Sequence, residues 1–278
     1  MRDEAMRHRN RHERSNEMNM RKALPRGMTI SATVCAVVSS AAFAEDSLIR
    51  GSIGLGVSYG PSFLGSDDSE SGVIPIIDLE IGRYGFVNQR GVGLYNSSTL
   101  GGGTLKYGVG LGYDFDERLT KDNAVLAGLD GIEAGAVATL FADYETGRWS
   151  FDLELQKGLS DEGHEGTLVK VSGTYGAQIS QRVRVSATPY VKWADEAWMD
   201  SYFTVTPAQS LTSGYTAFEA GSGFAQGGIT LTASYALRPK TIVFTSLDMS
   251  TLMGDAKDSS LSFEDTQTSL STGVMFRF

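Results

Sequence analysis

The chain has 278 residues with 24 Lys and Arg against 33 Asp and Glu, a formal net charge of −9. That balance argues against nucleic acid as a partner, because binding it depends on neutralising phosphates with Lys and Arg. Thirty-three Gly, 11 Tyr and 13 Phe favour many short strands over helices, and six Pro are too few for a Pro-rich linker protein.

The first 44 residues read as a secretory signal peptide. Arg21, Lys22 and Arg26 precede the apolar run Met28 to Val38, and small residues follow to Ala42, Phe43 and Ala44. The run is too short to span a membrane as a helix, and the order of regions places cleavage between Ala44 and Glu45. The charged stretch before Met18 is an atypical extension. Cleavage removes Cys35, the one cysteine, and with it any disulfide or Cys-ligated metal site. It also removes eight of the 24 basic residues but four of the 33 acidic ones, so the remaining barrel domain, 45–278, is more acidic still.

From there the chain is a succession of period-two segments. Ile49, Gly51, Ile53, Leu55, Val57 and Tyr59 form the first alternating face. Pro61 to Gly72 is a polar loop, and Val73 to Ile81 is extended, with Pro75 marking an edge or a bulge. A turn at Arg83 to Gly85 leads into one strand over Phe86 to Tyr95. Leu105 to Phe115, Ile132 to Tyr144 and Trp149 to Gln156 follow, separated by the charged link Asp116 to Asp130 and the turn at Glu145 to Gly147. Val169 to Tyr175 and Val183 to Trp193 flank a turn at Ser180 and Gln181, and Pro189 again suggests an edge or bulge. Met199 to Val205 reads as a short strand, Pro207 to Gly223 as a loop with one helical turn, and Ile229 to Tyr235, Thr241 to Leu252 and Ser269 to Phe278 complete the pattern.

No segment after Ala44 is an apolar run long enough for a membrane helix, yet a β-barrel crosses with strands apolar on one face alone. The expectation is an all-β fold, a closed antiparallel transmembrane barrel of about twelve strands, with ten the alternative. An even count puts both termini on the periplasmic side, but the short links after the fifth and seventh strands then fall outside, where longer loops are usual. The closing strand sets Leu270, Thr272, Val274, Phe276 and Phe278 on one face. Ser271, Gly273, Phe276 and Phe278 have the polar, Gly, apolar, aromatic spacing that resembles a barrel-assembly signal.

Chemistry-bearing residues are sparse. His164 is the one histidine after the signal peptide and lies in SDEGHEG beside Asp161, Glu162 and Glu165. A lipid-cleaving barrel could use it with a serine and a carboxylate, but no patterned nucleophile accompanies it, and a solvated loop histidine is the preferred reading. No catalytic residue, cofactor or metal is expected. Asp67, Asp68 and Glu70 offer oxygen ligands to a divalent cation, yet they lack EF-hand spacing and read as a solvated loop. Glu133, Asp143, Asp152, Glu154, Lys170, Arg184 and Lys192 fall on the polar strand faces and are placed in the lumen, either lining a channel or pairing with one another.

Gly54 to Asp68 (GLGVSYGPSFLGSDD), Gly163 to Gly166 (GHEG), Trp193 to Tyr215 (WADEAWMDSYFTVTPAQSLTSGY) and the closing GVMFRF resemble the MipA/OmpV family of outer-membrane proteins, in order and across nearly the whole chain after the signal peptide. The resemblance implies residence in a Gram-negative outer membrane, among its lipid and lipopolysaccharide, without catalysis. It also implies a scaffold that brings a lytic transglycosylase together with a penicillin-binding protein in peptidoglycan remodelling. Adhesins and porin-like solute channels in the same family are the alternative roles.

Overall fold

The structure is a computed structural model describing residues 48–120, 123–160 and 163–278. The expected signal peptide, its Ala44–Glu45 junction, and Asp161 and Glu162 lie outside the described residues. Twelve antiparallel strands follow one another around a closed barrel: β1 (Ile49–Pro61), β2 (Ser69–Ile81), β3 (Gly85–Asn88), β4 (Gly91–Leu100), β5 (Gly103–Asp114), β6 (Gly135–Thr146), β7 (Trp149–Gly158), β8 (Thr167–Gln178), β9 (Val183–Ala194), β10 (Gly223–Arg238), β11 (Thr241–Leu252) and β12 (Thr266–Arg277). β12 pairs with β1 from Ser52–Arg277 to Tyr59–Leu270, and the backbones of Gly51 and Phe278 extend that closure.

Side chains alternate in the opposite sense to a water-soluble barrel. Ile53, Leu55, Val57, Val109, Leu111, Leu140, Leu153, Val171 and Phe276 point outward and are exposed, while Ser52, Ser58, Thr139, Ser172, Thr188, Ser246 and Ser271 are buried inside. Such an inversion is stable only when the outer solvent is hydrocarbon. Most strands have 10 to 13 residues; at about 3.3 Å per residue and a tilt of about 40°, that length matches a bilayer core of about 30 Å. Exposed aromatics mark both rims, with Tyr59, Tyr113 and Phe224 at one end and Trp149, Tyr175 and Phe278 at the other.

The twelve strands are not all the twelve expected. Phe86 to Tyr95 is a hairpin: β3 turns at Gln89 and Arg90 into β4, pairing Asn88 with Gly91. Asn88 Oδ1 accepts from Arg90 N (2.9 Å), and Gly91 has φ +99° with a β5 carbonyl so close that a Cβ would lie 2.0 Å from it. Those two residues make the reversal. Met199 to Val205 is mostly helix: α1 (Glu196–Phe203) and α2 (Pro207–Ser213) occupy the β9–β10 connection, and α3 (Gly254–Asp258) the β11–β12 connection. Asp195 Oδ1 caps α1 by accepting from Trp198 N, and Thr206 with Gln209 forms a capping box for α2.

One strand gained and one lost leave the total unchanged, but the difference moves every turn between them. The turns at 147–148 and 179–182 now fall on the side of the termini, where short connections belong. All five turns on that side are short, whereas the β5–β6 and β9–β10 loops and both helices of the latter lie at the opposite mouth.

β2 pairs with β1 over its full length but with β3 at Leu79, Glu80 and Ile81 alone, so Ser69 to Asp78 has a sheet partner on one side among the described residues. Pro75, which has no N–H to give, sits in that open edge as expected. Pro189 is not at an edge. β9 pairs on both sides, and the β8 ladder skips from Ser172–Tyr190 to Tyr175–Ala187 around it, with the Thr174 and Thr188 hydroxyls 2.9 Å apart across the gap.

Candidate functional site

The lumen is occupied at three levels. In its middle, Arg90 projects from the β3–β4 turn across to β6 and β7. Its Nη1 and Nη2 donate to the two Asp143 oxygens (2.9 Å each), its Nε donates to Glu154 Oε2 (2.8 Å), and Nη2 also meets Asp152 Oδ2. The guanidinium lies 4.3 Å over the Phe141 ring. A planar fork of N–H groups meets one carboxylate with both ends while serving two others, four contacts that the three N–H donors of a lysine cannot match. Below it Lys106 pairs with Glu80 (2.8 Å) and lies over Tyr95.

The mouth is closed by a cap with its own apolar core. Trp198, Met199, Tyr202 and Phe203 of α1 are buried with Ile132, Ala220, Leu252 and Ala256, and a second cluster joins Phe63, Leu126, Leu129, Val205 and Leu261. Arg118 of the β5–β6 loop donates to the carbonyls of Ser201 and Tyr202, supplying positive charge at the C-terminal end of α1. Burial pushes this guanidinium down to about 10. Tyr202 donates to Asp116 O (3.1 Å), and burial, reinforced by Asp114 and Asp116, raises its hydroxyl well above the ordinary range. Burial works to raise the Asp195 carboxyl, but the N–H groups of Thr167 and Trp198 outweigh it and hold the group below its usual range.

Between cap and arginine lies a cavity of about 110 Å3 bounded by Phe63, Arg118, Lys170, Tyr190, Lys192, Tyr202, Gln226 and Asp248, among others. Glu154, Lys170, Lys192 and Gln226 are consecutive cross-strand partners on β7 to β10, forming one row beneath it.

His164 is buried rather than solvated, at 3% exposure. Its Nε2 is 3.0 Å from Asp114 Oδ2, and its ring lies against Trp198 and Tyr202. A Cβ on Gly158 of β7 would fall 1.7 Å from the His164 carbonyl and one on Gly166 1.9 Å from Trp198 N, so these glycines permit close packing instead of loop freedom. The histidine thereby ties the β7–β8 loop to the end of β5, and the Asp114–His164 pair is enclosed by the cap. Glu165 is exposed, its carbonyl accepting from Lys157 Nζ (2.6 Å). Asp67 and Asp68 are exposed in the β1–β2 loop, and no group of three potential metal-ligating side chains occurs among the described residues.

Asp143, Asp152, Glu154, Lys170 and Lys192 are inside the barrel as expected, but Glu133 is exposed in the link before β6. Ser271 and Gly273 face the lumen, and Phe276 and Phe278 face outward. Arg90, which organises the lumen, and Arg118, which braces α1, were not among the residues singled out from sequence. The polar stretch Asn88 to Gly91, interrupting an otherwise apolar alternation, was the available signal for the first.

The profile of the family described as MltA-interacting protein MipA matches residues 53–278. Among solved structures, OprB of Pseudomonas putida is similar at 10% identity and a TM-score of 0.41, over 67% of this chain and 48% of that one, about half its length. OmpT of Vibrio cholerae is similar at 9% identity and a TM-score of 0.37, over 86% of this chain and 100% of that one. A porin mutant of Rh. blastica gives 10% identity and a TM-score of 0.27, over 83% and 99%. No protein of curated function matches by sequence.

Proposed function

Because the chain belongs to the MipA family, whose profile covers residues 53–278, we propose that this outer-membrane barrel is a non-enzymatic scaffold that holds a lytic transglycosylase beside a penicillin-binding protein during peptidoglycan remodelling. The observation that carries the reading is the obstructed lumen: the Arg90 ion cluster crosses it and the α1 cap covers its mouth. A barrel filled in this way works through its rims.

The rim beside the termini is where murein enzymes would meet it, and its short turns present a small surface. Arg83, Tyr84, Arg148, Ile179, Arg182 and Lys240 are exposed there, a basic and partly apolar set on an acidic chain. An interface of this size fits a transient complex dominated by a few aromatic and arginine anchors.

The test is photo-crosslinking in intact cells from Tyr84 and Ile179, followed by identification of the attached proteins by mass spectrometry. Recovery of a lytic transglycosylase and a penicillin-binding protein, lost on charge reversal at Arg148 and Arg182, is the expected result. Clear single-channel currents from the purified barrel with neither enzyme recovered would replace the scaffold with a solute channel.

A further inference from the structure

The cavity between the arginine cluster and the cap holds two lysines side by side on its wall. Lys170 and Lys192 are direct cross-strand partners on β8 and β9, and both line the cavity. Like charges in that relation repel. Both ammonium groups lie near the Tyr190 ring, at 5.5 and 6.0 Å from its centroid, so they converge on one side chain.

Asp116 and Glu117 line the cavity on the side of the cap, and the two carboxylates on the barrel wall beside the lysines are held by other partners. Glu154, the other cross-strand neighbour of Lys170, accepts from Arg90 Nε on its Oε2. Asp248 accepts from the Tyr190 hydroxyl on one oxygen (3.0 Å) and from the Thr230 hydroxyl on the other (2.6 Å). None of the ion pairs among the described residues includes Lys170 or Lys192. Gln226, next in the row after Lys192, is 6% exposed; its Nε2 donates to Ser250 Oγ (2.9 Å), but its buried Oε1 has no partner. Two adjacent ammonium donors therefore make no ion pair with the wall carboxylates, and a buried acceptor beside them lacks a donor.

We propose that this cavity binds a compact oxyanion of the hydrogen-phosphate type. Its charged oxygens accept from Lys170 and Lys192, and its remaining P–OH donates to Gln226 Oε1. The size agrees: about 110 Å3 is the space of three or four waters at about 30 Å3 each, enough for a five-heavy-atom oxyanion. The same chemistry is carried by free phosphate and by a lipopolysaccharide phosphate, and the cavity's position inside the lumen favours the free ion. The site does not depend on the scaffold reading.

Inorganic phosphate titrated into the detergent-purified, folded barrel tests the site, by calorimetry and by broadening of the phosphorus NMR line. Saturable one-to-one binding is expected, weakened at least tenfold in Lys170→Gln and in Lys192→Gln and abolished in Gln226→Glu, which places a carboxylate where the anion sits. Each variant is first checked for the heat-dependent gel shift of a folded barrel. Should a variant misfold, Lys192→Arg, which keeps the charge, is expected to retain binding within severalfold. A purified lipopolysaccharide competing with free phosphate would assign the anion to lipid. Absence of saturable phosphate binding, or binding unaltered by both Lys→Gln changes in folded protein, overturns the proposal.

Discussion

Arg90 is the residue on which the lumen depends most. Its side chain is 17% exposed and faces three carboxylates, so removing the cation leaves uncompensated negative charge inside the barrel. Arg90→Met is expected to cost about 3–5 kcal/mol, the range for breaking a buried ion pair from one side, and Arg90→Lys to lose much of the same because the three N–H donors of an ammonium cannot reproduce a bidentate grip on one carboxylate with contacts to two more. Urea unfolding in lipid vesicles measures both. Asp195 acts at the same scale in the cap. Its contribution is full above the ordinary carboxyl value of 3.8 and is lost as pH falls through the lower folded value. Trp198 fluorescence is expected to report loosening of the wild-type cap in that acidic window and little pH dependence there in Asp195→Asn. At neutral pH, Asp195→Ala is expected to weaken α1 by about 1 kcal/mol through loss of its N-cap.

Among the elements, the long strands were legible because lipid and lumen impose opposite demands on successive residues, and a period of two survives in the sequence as Trp149 to Gln156 shows. The β3–β4 hairpin was not. Its reversal is marked only by the short polar interruption Asn88 to Gly91, and the turn is made by Gly91 and an Asn88 side chain whose roles emerge only when β5 packs alongside. α1 was hidden for another reason: Trp198, Tyr202 and Phe203 belong to residue types common in strands, yet they fall at helical spacing for one cap-facing side. His164 was legible as unusual but not as buried, since the contacts that enclose it come from α1. Phe203→Ala, in a fully buried position, is expected to cost about 3–5 kcal/mol of cap stability, and Leu211→Ala, which is 89% exposed, less than about 0.5. Limited proteolysis of the mouth loops distinguishes them. For β12, the outward Phe276 and Phe278 motivate a separate expectation. Phe278→Asp lowers the amount of heat-modifiable barrel in membranes more than Leu211→Asp does.

The whole molecule divides its stability between a wall held by backbone pairing and a lid held by apolar packing. The apolar clusters among the described residues lie at the mouth, while the barrel interior is polar and ion-paired. Such a molecule is expected to lose its cap first on heating, with the strand signal in circular dichroism persisting after Trp198 fluorescence has shifted.

The short β3 strand has a mechanical consequence. Every neighbouring pair in the barrel except those made by β3 is fastened along most of a strand, whereas β2 and β3 meet at three residue pairs, Leu79–Val87, Glu80–Phe86 and Ile81–Gly85. Hoop tension in a closed cylinder is the same all the way round, so the circumference yields at its least-stitched seam. Hydrogen exchange of the folded protein is therefore expected to be fastest, within the strands, along Ser71 to Ile77 and Phe86 to Asn88. A disulfide bridging Leu79→Cys and Val87→Cys would basted that seam shut, raising the temperature at which the cylinder unrolls into a sheet.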